Sequence, residues 1–303
     1  MKAAVFMESG KMEVHEVEKP IIQKPTDAIL KIVRACVCGS DLWWYRGITN
    51  REKGSLVGHE AIAIVEEVGD NVKDIKPGDF VIAPFTHGCG HCVACLAGFD
   101  GNCVNQEAGS NGGYQGEYLR FTNANWALVK IPGHPSDYTD EQLNDLLTLA
   151  DVMATGYHAA ASAEAKEDDT VAVIGDGAVG LCGVIGAKLR GDDAVKKVLE
   201  CVGAVSAIEQ AGKLARPGAI VGRVGVPQTE PSSNTLFWKN IGLRGGIASV
   251  TTYDRAILLD AVLKGKIHPG KVFTKRFSLD KIQQAYEVMD KREAIKSLII
   301  VSE

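Results

Sequence analysis

Four cysteines carry the most specific chemistry in this sequence. Cys89, Cys92, Cys95 and Cys103 follow the spacing C-x2-C-x2-C-x7-C, with glycines at 88, 90, 98 and 101. Glycines let the backbone curl tightly enough for four thiolates to face one point, and such a shell is a closed tetrahedral site for a structural Zn2+. His91 lies inside the ribbon and could replace a cysteine, but four thiolates already fill the shell. Four unrelated buried thiols are the alternative, and the spacing within a glycine-rich loop opposes it. Residues 85–105 contain no Lys or Arg to meet phosphates, which removes the zinc-finger reading.

A second constellation begins at Cys38-Gly39-Ser40-Asp41 and continues about twenty residues later at Gly58-His59-Glu60. A soft thiolate and an imidazole with a flanking carboxylate can converge on one ion. The third ligand must come from elsewhere. Asp151 is the candidate, because it stands at the start of a second domain, where a cleft between domains would lie. Three protein ligands leave one position open for substrate. On these residues alone, Cys38 as a core thiol and His59 as a structural histidine remains an open alternative.

The third motif is Gly175-Asp176-Gly177-Ala178-Val179-Gly180, preceded by the apolar run 170–174 and followed by a helix-compatible run, 181–189. This is G-x-G-x-x-G between a strand and a helix, where backbone N–H groups and the helix N-terminus hold a diphosphate. Without that flanking context the motif is often a glycine turn and nothing more. The acid expected on the cofactor ribose lies about 20 residues beyond the motif, and Glu200 stands at that distance.

These motifs need two kinds of scaffold. Residues 2–126 read as short strands, such as 28–33 and 61–68, punctuated by turns such as Lys76-Pro77-Gly78-Asp79, and predict an irregular β domain. Residues 140–161 read as helical, and the runs 170–174, 199–202, 219–224 and 241–248 predict a small parallel sheet in an α/β domain. The tail reads as amphipathic over 253–264, helical over 280–289 and a closing strand over 297–301. A chain of 303 residues accommodates two such cores.

Composition narrows the partners. A net charge of −5 without a basic run gives no attraction to nucleic acid or anionic lipid, and the apolar stretches are too short to span a bilayer. The start of the sequence has no signal-peptide pattern, so a cytoplasmic location with reduced thiols is expected.

Together the ribbon, Cys38-Gly-Ser-Asp, Gly58-His59-Glu60, Asp151 with Thr155-Gly156, and the glycine motif resemble the medium-chain zinc-dependent alcohol dehydrogenase family, over nearly the whole chain. The resemblance implies an α/β protein. A GroES-like β domain over 1–152 carries both zinc sites, a doubly wound Rossmann domain covers 153–248, and a segment over 249–303 returns to the first domain. By the same resemblance, the run 199–203 belongs to the fourth strand of the cofactor sheet and 219–222 to the fifth. Glu200 is then not the ribose acid, and the Rossmann domain lacks strands two and three, because one βαβ unit alone takes about 30 residues. Ala63 stands where the family pattern has a glycine.

The resemblance further implies zinc-dependent hydride transfer between an alcohol and NAD or NADP, giving an aldehyde or ketone. Zn2+ would rest on Cys38, His59 and Asp151, with Glu60 as alternate ligand or electrostatic tuner. Ser40 would begin a proton relay and Asp41 would orient His59. Thr155 would approach the nicotinamide, residues 175–180 would hold the diphosphate, Gly203, Val224, Gly225 and Ala248 would line the sheet crevice, and Lys296 is a candidate for a cofactor phosphate. Trp43, Trp44 and Tyr45 either wall a pocket for a bulky or apolar substrate or pack internally. A homo-oligomer, dimer or tetramer, is expected. Two alternatives stand beside this reading: a non-enzymatic zinc-binding descendant that has lost the adenosine site, and a polyol, threonine or formaldehyde dehydrogenase of the same family.

Overall fold

The computed structural model describes residues 1–106, 112–166, 169–190, 192–228 and 233–302. Two compact units form, Met1–Ala150 with Val250–Glu303, and Asp151–Ser249.

In the first unit the N-terminal hairpin pairs β1 (Lys2–Glu8) with β2 (Lys11–Glu16). The strands β3 (Ala28–Cys36), β4 (Ala61–Val68), β5 (Phe80–Ala83), β6 (Tyr118–Phe121) and β7 (Val129–Ile131) follow. Their β-branched and aromatic side chains suit a pleated, buried surface, and Ile32, Ala35, Ala61, Ala63, Val65 and Val81 meet in one core. The helix Asp140–Thr148 starts on a reciprocal cap. Gln142 N–H donates to Thr139 Oγ1 (3.3 Å), and Thr139 N–H donates to Gln142 Oε1 (2.9 Å).

The second unit begins with the helix Val152–Ser162. A parallel sheet follows, built from β8 (Asp169–Ile174), β9 (Asp192–Glu200), β10 (Ile220–Arg223) and β11 (Gly242–Gly245) in the order β11-β10-β9-β8. Alternate residues leave opposite faces. Val171, Val173 and Leu199 pack on alanines of the helices Val152–Ser162 and Ala178–Arg190, whereas Ala172, Ile174 and Val198 pack with Ala211, Ala215 and Ile241. A sheet covered on both faces by helices is the doubly wound arrangement.

The C-terminal segment returns to the first unit, where β12 (Phe273–Ser278) pairs with β13 (Lys296–Ile300), and β13 pairs with β3. The helix Ile282–Asp290 buries Ile282, Ala285, Tyr286 and Met289 in the β-domain core.

Several sequence expectations are refined. The helical pattern over 140–161 is two helices, interrupted at 149–151. The strand expected at 199–202 starts at Asp192 and ends at Glu200, because it pairs along the length of β8, from Asp169↔Asp192 to Ile174↔Glu200. Only Gly191 separates the helix Ala178–Arg190 from β9 in the sequence, so β9 is the strand that follows the glycine motif. Among the described residues no helix is long and apolar enough to cross a membrane.

Candidate metal and cofactor sites

Strand register assembles the second constellation. Ala35 pairs with Ala61 across β3 and β4, and the antiparallel direction brings the residues just after β3 beside those just before β4. Cys38 therefore meets His59 and Glu60. Each offers a ligand atom within 4.8 Å of the others. β5 continues the pattern, since Ala61 pairs with Ala83, and the Phe85 ring stands 6.1 Å from His59. On the other side Leu298 pairs with Cys36, so Lys296 arrives at the same end of the sheet.

Gly58 sets the approach to His59. Its φ of +86° is left-handed, and a Cβ there would lie 2.6 Å from Gln115 Cγ. Gln115 is itself fixed, donating from Nε2 to Cys36 O (2.9 Å) and accepting from Tyr286 OH (3.0 Å). Asp41 Oδ1 lies 3.4 Å from His59 Nδ1, while Asp41 Oδ2 accepts the Cys38 N–H (3.0 Å). One carboxylate thus positions both the thiol backbone and the imidazole. Ser40, at the head of the short helix Asp41–Tyr45, is exposed.

Lys296 does not reach outward to a phosphate, which corrects one sequence expectation. It is 1% exposed, and its Nζ donates to Glu60 Oε1 (2.7 Å) and Val37 O (3.2 Å). A buried carboxylate requires such a partner, and the sequence distance of 236 residues hid this one. Trp44 and Tyr45 are likewise core residues, with Trp44 5.3 Å from Phe6 edge-on and Tyr45 5.2 Å from Tyr286. Trp43 alone of the three is half-buried. Ala63 is buried in β4, paired with Ile32 and Val81, beside a register shift between Ile32 and Arg34.

The four ribbon cysteines converge as the spacing requires, their sulfurs all within 4.8 Å of one another. Cys92 and Cys103 Sγ are 3.9 Å apart. A tetrahedral zinc with Zn–S bonds of about 2.3 Å separates its sulfurs by about 3.8 Å, so the ribbon fits the ion. Peptide N–H groups point at the sulfurs, from Cys89 and Asn105 to Cys103 Sγ (3.3 and 3.4 Å) and from Cys95 to Cys92 Sγ (3.5 Å). Such donors favour thiolate. Hydrogen bonds from Cys95 and Val104 lower the Cys92 thiol to about 6. His91 is outside the shell, exposed, with Nδ1 on Cys89 O (2.9 Å).

In the second unit the glycine loop joins β8 to the helix Ala178–Arg190. A Cβ on Gly180 would come within 1.9 Å of Gly175 O, so no other residue allows this turn. A Cβ on Gly177 would meet nothing within 4 Å, and Asp176 and Gly177 are exposed. The open space at the helix N-terminus, where N–H groups lack intrahelical partners, fits a diphosphate. Gly203, Val224 and Gly225 gather at the same strand ends, since Glu200 O accepts from Val224 and Gly225 N–H (2.9 and 3.1 Å) and Glu200 Oε1 from Gly203 N–H (2.6 Å). Ala248 is buried beyond β11. Asp151 opens this unit, and its Oδ1 accepts the Thr155 hydroxyl at 2.7 Å.

Known proteins share this architecture. Residues 24–133 match the family model for the alcohol dehydrogenase GroES-like domain. The chain is 29% identical to zinc-type alcohol dehydrogenase B of Aspergillus flavus over 357 positions, covering 100% of this chain and 82% of that one. A zinc-type alcohol dehydrogenase-like protein of Bacillus subtilis, AdhB, is 28% identical, with 96% and 97% covered. The solved alcohol dehydrogenase TADH from Thermus sp. ATN1 superposes with a TM-score of 0.89 at 28% identity, with 100% of both chains covered. The chain belongs to the medium-chain zinc-dependent alcohol dehydrogenase family. As a member of that family it is an oxidoreductase, with its cysteine ribbon and its Cys38, His59 and Glu60 cluster inside one unit.

Proposed function

We propose that this medium-chain alcohol dehydrogenase binds two Zn2+ per chain and transfers a hydride between an alcohol and NAD or NADP, giving the aldehyde or ketone. The observation that carries the reading is the meeting of Cys38, His59 and Glu60 at one end of the β-domain sheet. Cys89, Cys92, Cys95 and Cys103 hold the structural zinc. Cys38, His59 and Asp151 hold the catalytic one, with Glu60 beside them. Asp151 is one peptide bond beyond Ala150, whose carbonyl accepts the Phe85 N–H (3.1 Å).

Zinc supplies a Lewis acid that polarises the C–O bond and acidifies the alcohol hydroxyl, and the nicotinamide supplies the hydride acceptor. Ser40 would begin the relay that carries the hydroxyl proton to solvent, passing on its own proton as it accepts the alcohol's. Asp41 holds His59 in orientation, and Lys296 balances the Glu60 charge. Thr155 sits near the nicotinamide, residues 175–180 bind the diphosphate, and Gly203, Val224, Gly225 and Ala248 line the rest of the cofactor site. Trp43 is the candidate wall for the substrate.

The small-molecule substrate is a primary or secondary alcohol, or the matching carbonyl. Full-length likeness to zinc-type alcohol dehydrogenases speaks against the non-enzymatic alternative. A panel of alcohols, polyols and threonine, tested with NAD and NADP on zinc-loaded protein, decides the substrate. No turnover of any of them would overturn the reading. A homo-oligomer is part of the proposal, and light scattering after gel filtration tests it.

A further inference from the structure

We infer that this chain holds its nicotinamide cofactor by the diphosphate and nicotinamide half alone, and so does not discriminate NAD from NADP. The inference rests on the nicotinamide-linked activity proposed above.

In a doubly wound sheet the choice between the cofactors is made at the end of the strand that follows the glycine motif. An acid about 20 residues on bonds the ribose 2′-hydroxyl, or a cation accepts a 2′-phosphate. Here that strand is β9, which Gly191 alone separates from the preceding helix. A further strand and helix need about 30 residues, and they cannot be inserted in one. Among the described residues β8 is the last strand of its sheet, with β9 on one side and no strand on the other.

The acid at the expected distance is Glu200, and it is committed to the fold. It is fully buried, and its Oε1 accepts the N–H of Val202 (2.8 Å) and of Gly203 (2.6 Å). Its Oε2 faces Arg223 Nε at 3.6 Å, which gives that cation a carboxylate in place of a phosphate. Turning Glu200 toward a ribose would strip two N–H groups of their acceptor, at a cost that the ribose bonds would only repay. The diphosphate cradle is meanwhile complete, with Gly177 open and Gly180 closing the turn. Among the described residues the second unit thus keeps the part of the site common to all nicotinamide cofactors and shows no group placed to tell them apart.

The test is equilibrium binding to zinc-loaded protein, followed by calorimetry at 0.15 M salt, with three probes: NADH, NADPH and reduced nicotinamide mononucleotide, which has no adenosine half. The inference expects dissociation constants for NADH and NADPH within about threefold of each other, and the mononucleotide, which keeps one of the two phosphates, weaker than NADH by less than about a hundredfold. In Glu200→Gln the NADH to NADPH ratio stays where it was. A preference of more than about tenfold for either dinucleotide, or a mononucleotide more than about a hundredfold weaker than NADH, overturns the inference and leaves the proposed function standing. Binding of none of the three overturns both.

Discussion

Replacing Lys296 by methionine removes one charge and almost no volume from a site that water does not reach. Lys296 Nζ lies 2.7 Å from Glu60 Oε1, with side-chain exposures of 1% and 0%. At a charge separation of about 3.5 Å and an effective dielectric of about 20, their attraction is roughly 5 kcal/mol. Breaking one partner of such a buried pair costs about 3–5 kcal/mol, because the remaining carboxylate keeps its desolvation penalty without the compensating charge. A unit of about 200 residues loses about 2–4 °C of Tm per kcal/mol, so a drop on the order of 10 °C is expected. The assay is a thermal melt of zinc-loaded protein at pH 7, run on Lys296→Met, Glu60→Gln and the double variant. The double variant is expected to regain most of the loss, since two neutral groups of similar shape replace the ion pair. A Lys296→Met melt within about 2 °C of the parent, or a double variant no more stable than Lys296→Met, would refute the reasoning.

Other outcomes follow from the same geometry. Cys95→Ser is expected to lower zinc from two to one per chain by elemental analysis and to lower Tm, whereas Cys38→Ser loses the other zinc and all turnover while the melt changes little; equal effects on both properties would contradict the division of roles. Gly177→Asp places a carboxylate in open space at a helix N-terminus, so Tm should hold while NADH and NADPH binding weakens by at least about tenfold through charge repulsion; unchanged calorimetric binding would rule out the glycine loop as the diphosphate site. Burial, with the Asp100 charge adding to it, pushes the Asp254 carboxyl well above the usual carboxylate range. A raised folded pKa means that its favourable contribution is complete below the unfolded value near 3.8 and is lost as pH rises toward the folded value. Asp254→Asn should therefore gain stability over the parent in urea melts as pH rises from about 4 to 8, and a gap that stays constant with pH would count against it.

Local signals in the sequence reached far into this molecule. The ribbon was legible because its four ligands fall within fifteen residues, so spacing alone determines their geometry. The glycine motif was legible because a turn that admits no Cβ at Gly180 demands glycine. The short chain between the glycine motif and Leu199 was legible as length alone, and among the described residues β9 is the strand that follows the helix Ala178–Arg190. What stayed hidden depends on pairing over long sequence distance. The meeting of Lys296 with Glu60 is set by the registers of β13 with β3 and of β3 with β4, neither of which has a local signature. The burial of Trp44 depends on the helix Ile282–Asp290 returning Tyr286 to the first unit, so composition around Cys38 could not separate a pocket wall from core. The full extent of β9 was not legible because Asp192, Asp193, Lys196 and Lys197 break the apolar run ahead of Val198, until β8 is laid alongside.

The most direct measurement is isotope transfer. Zinc-loaded protein is incubated with alcohols deuterated at the carbinol carbon and with NAD or NADP, and the reduced cofactor is analysed by mass spectrometry. The account predicts deuterium on the nicotinamide ring, formed one for one with the carbonyl product and abolished in Cys38→Ser; reduced cofactor without deuterium, or none at all from fully zinc-loaded protein across the alcohol panel, would contradict it.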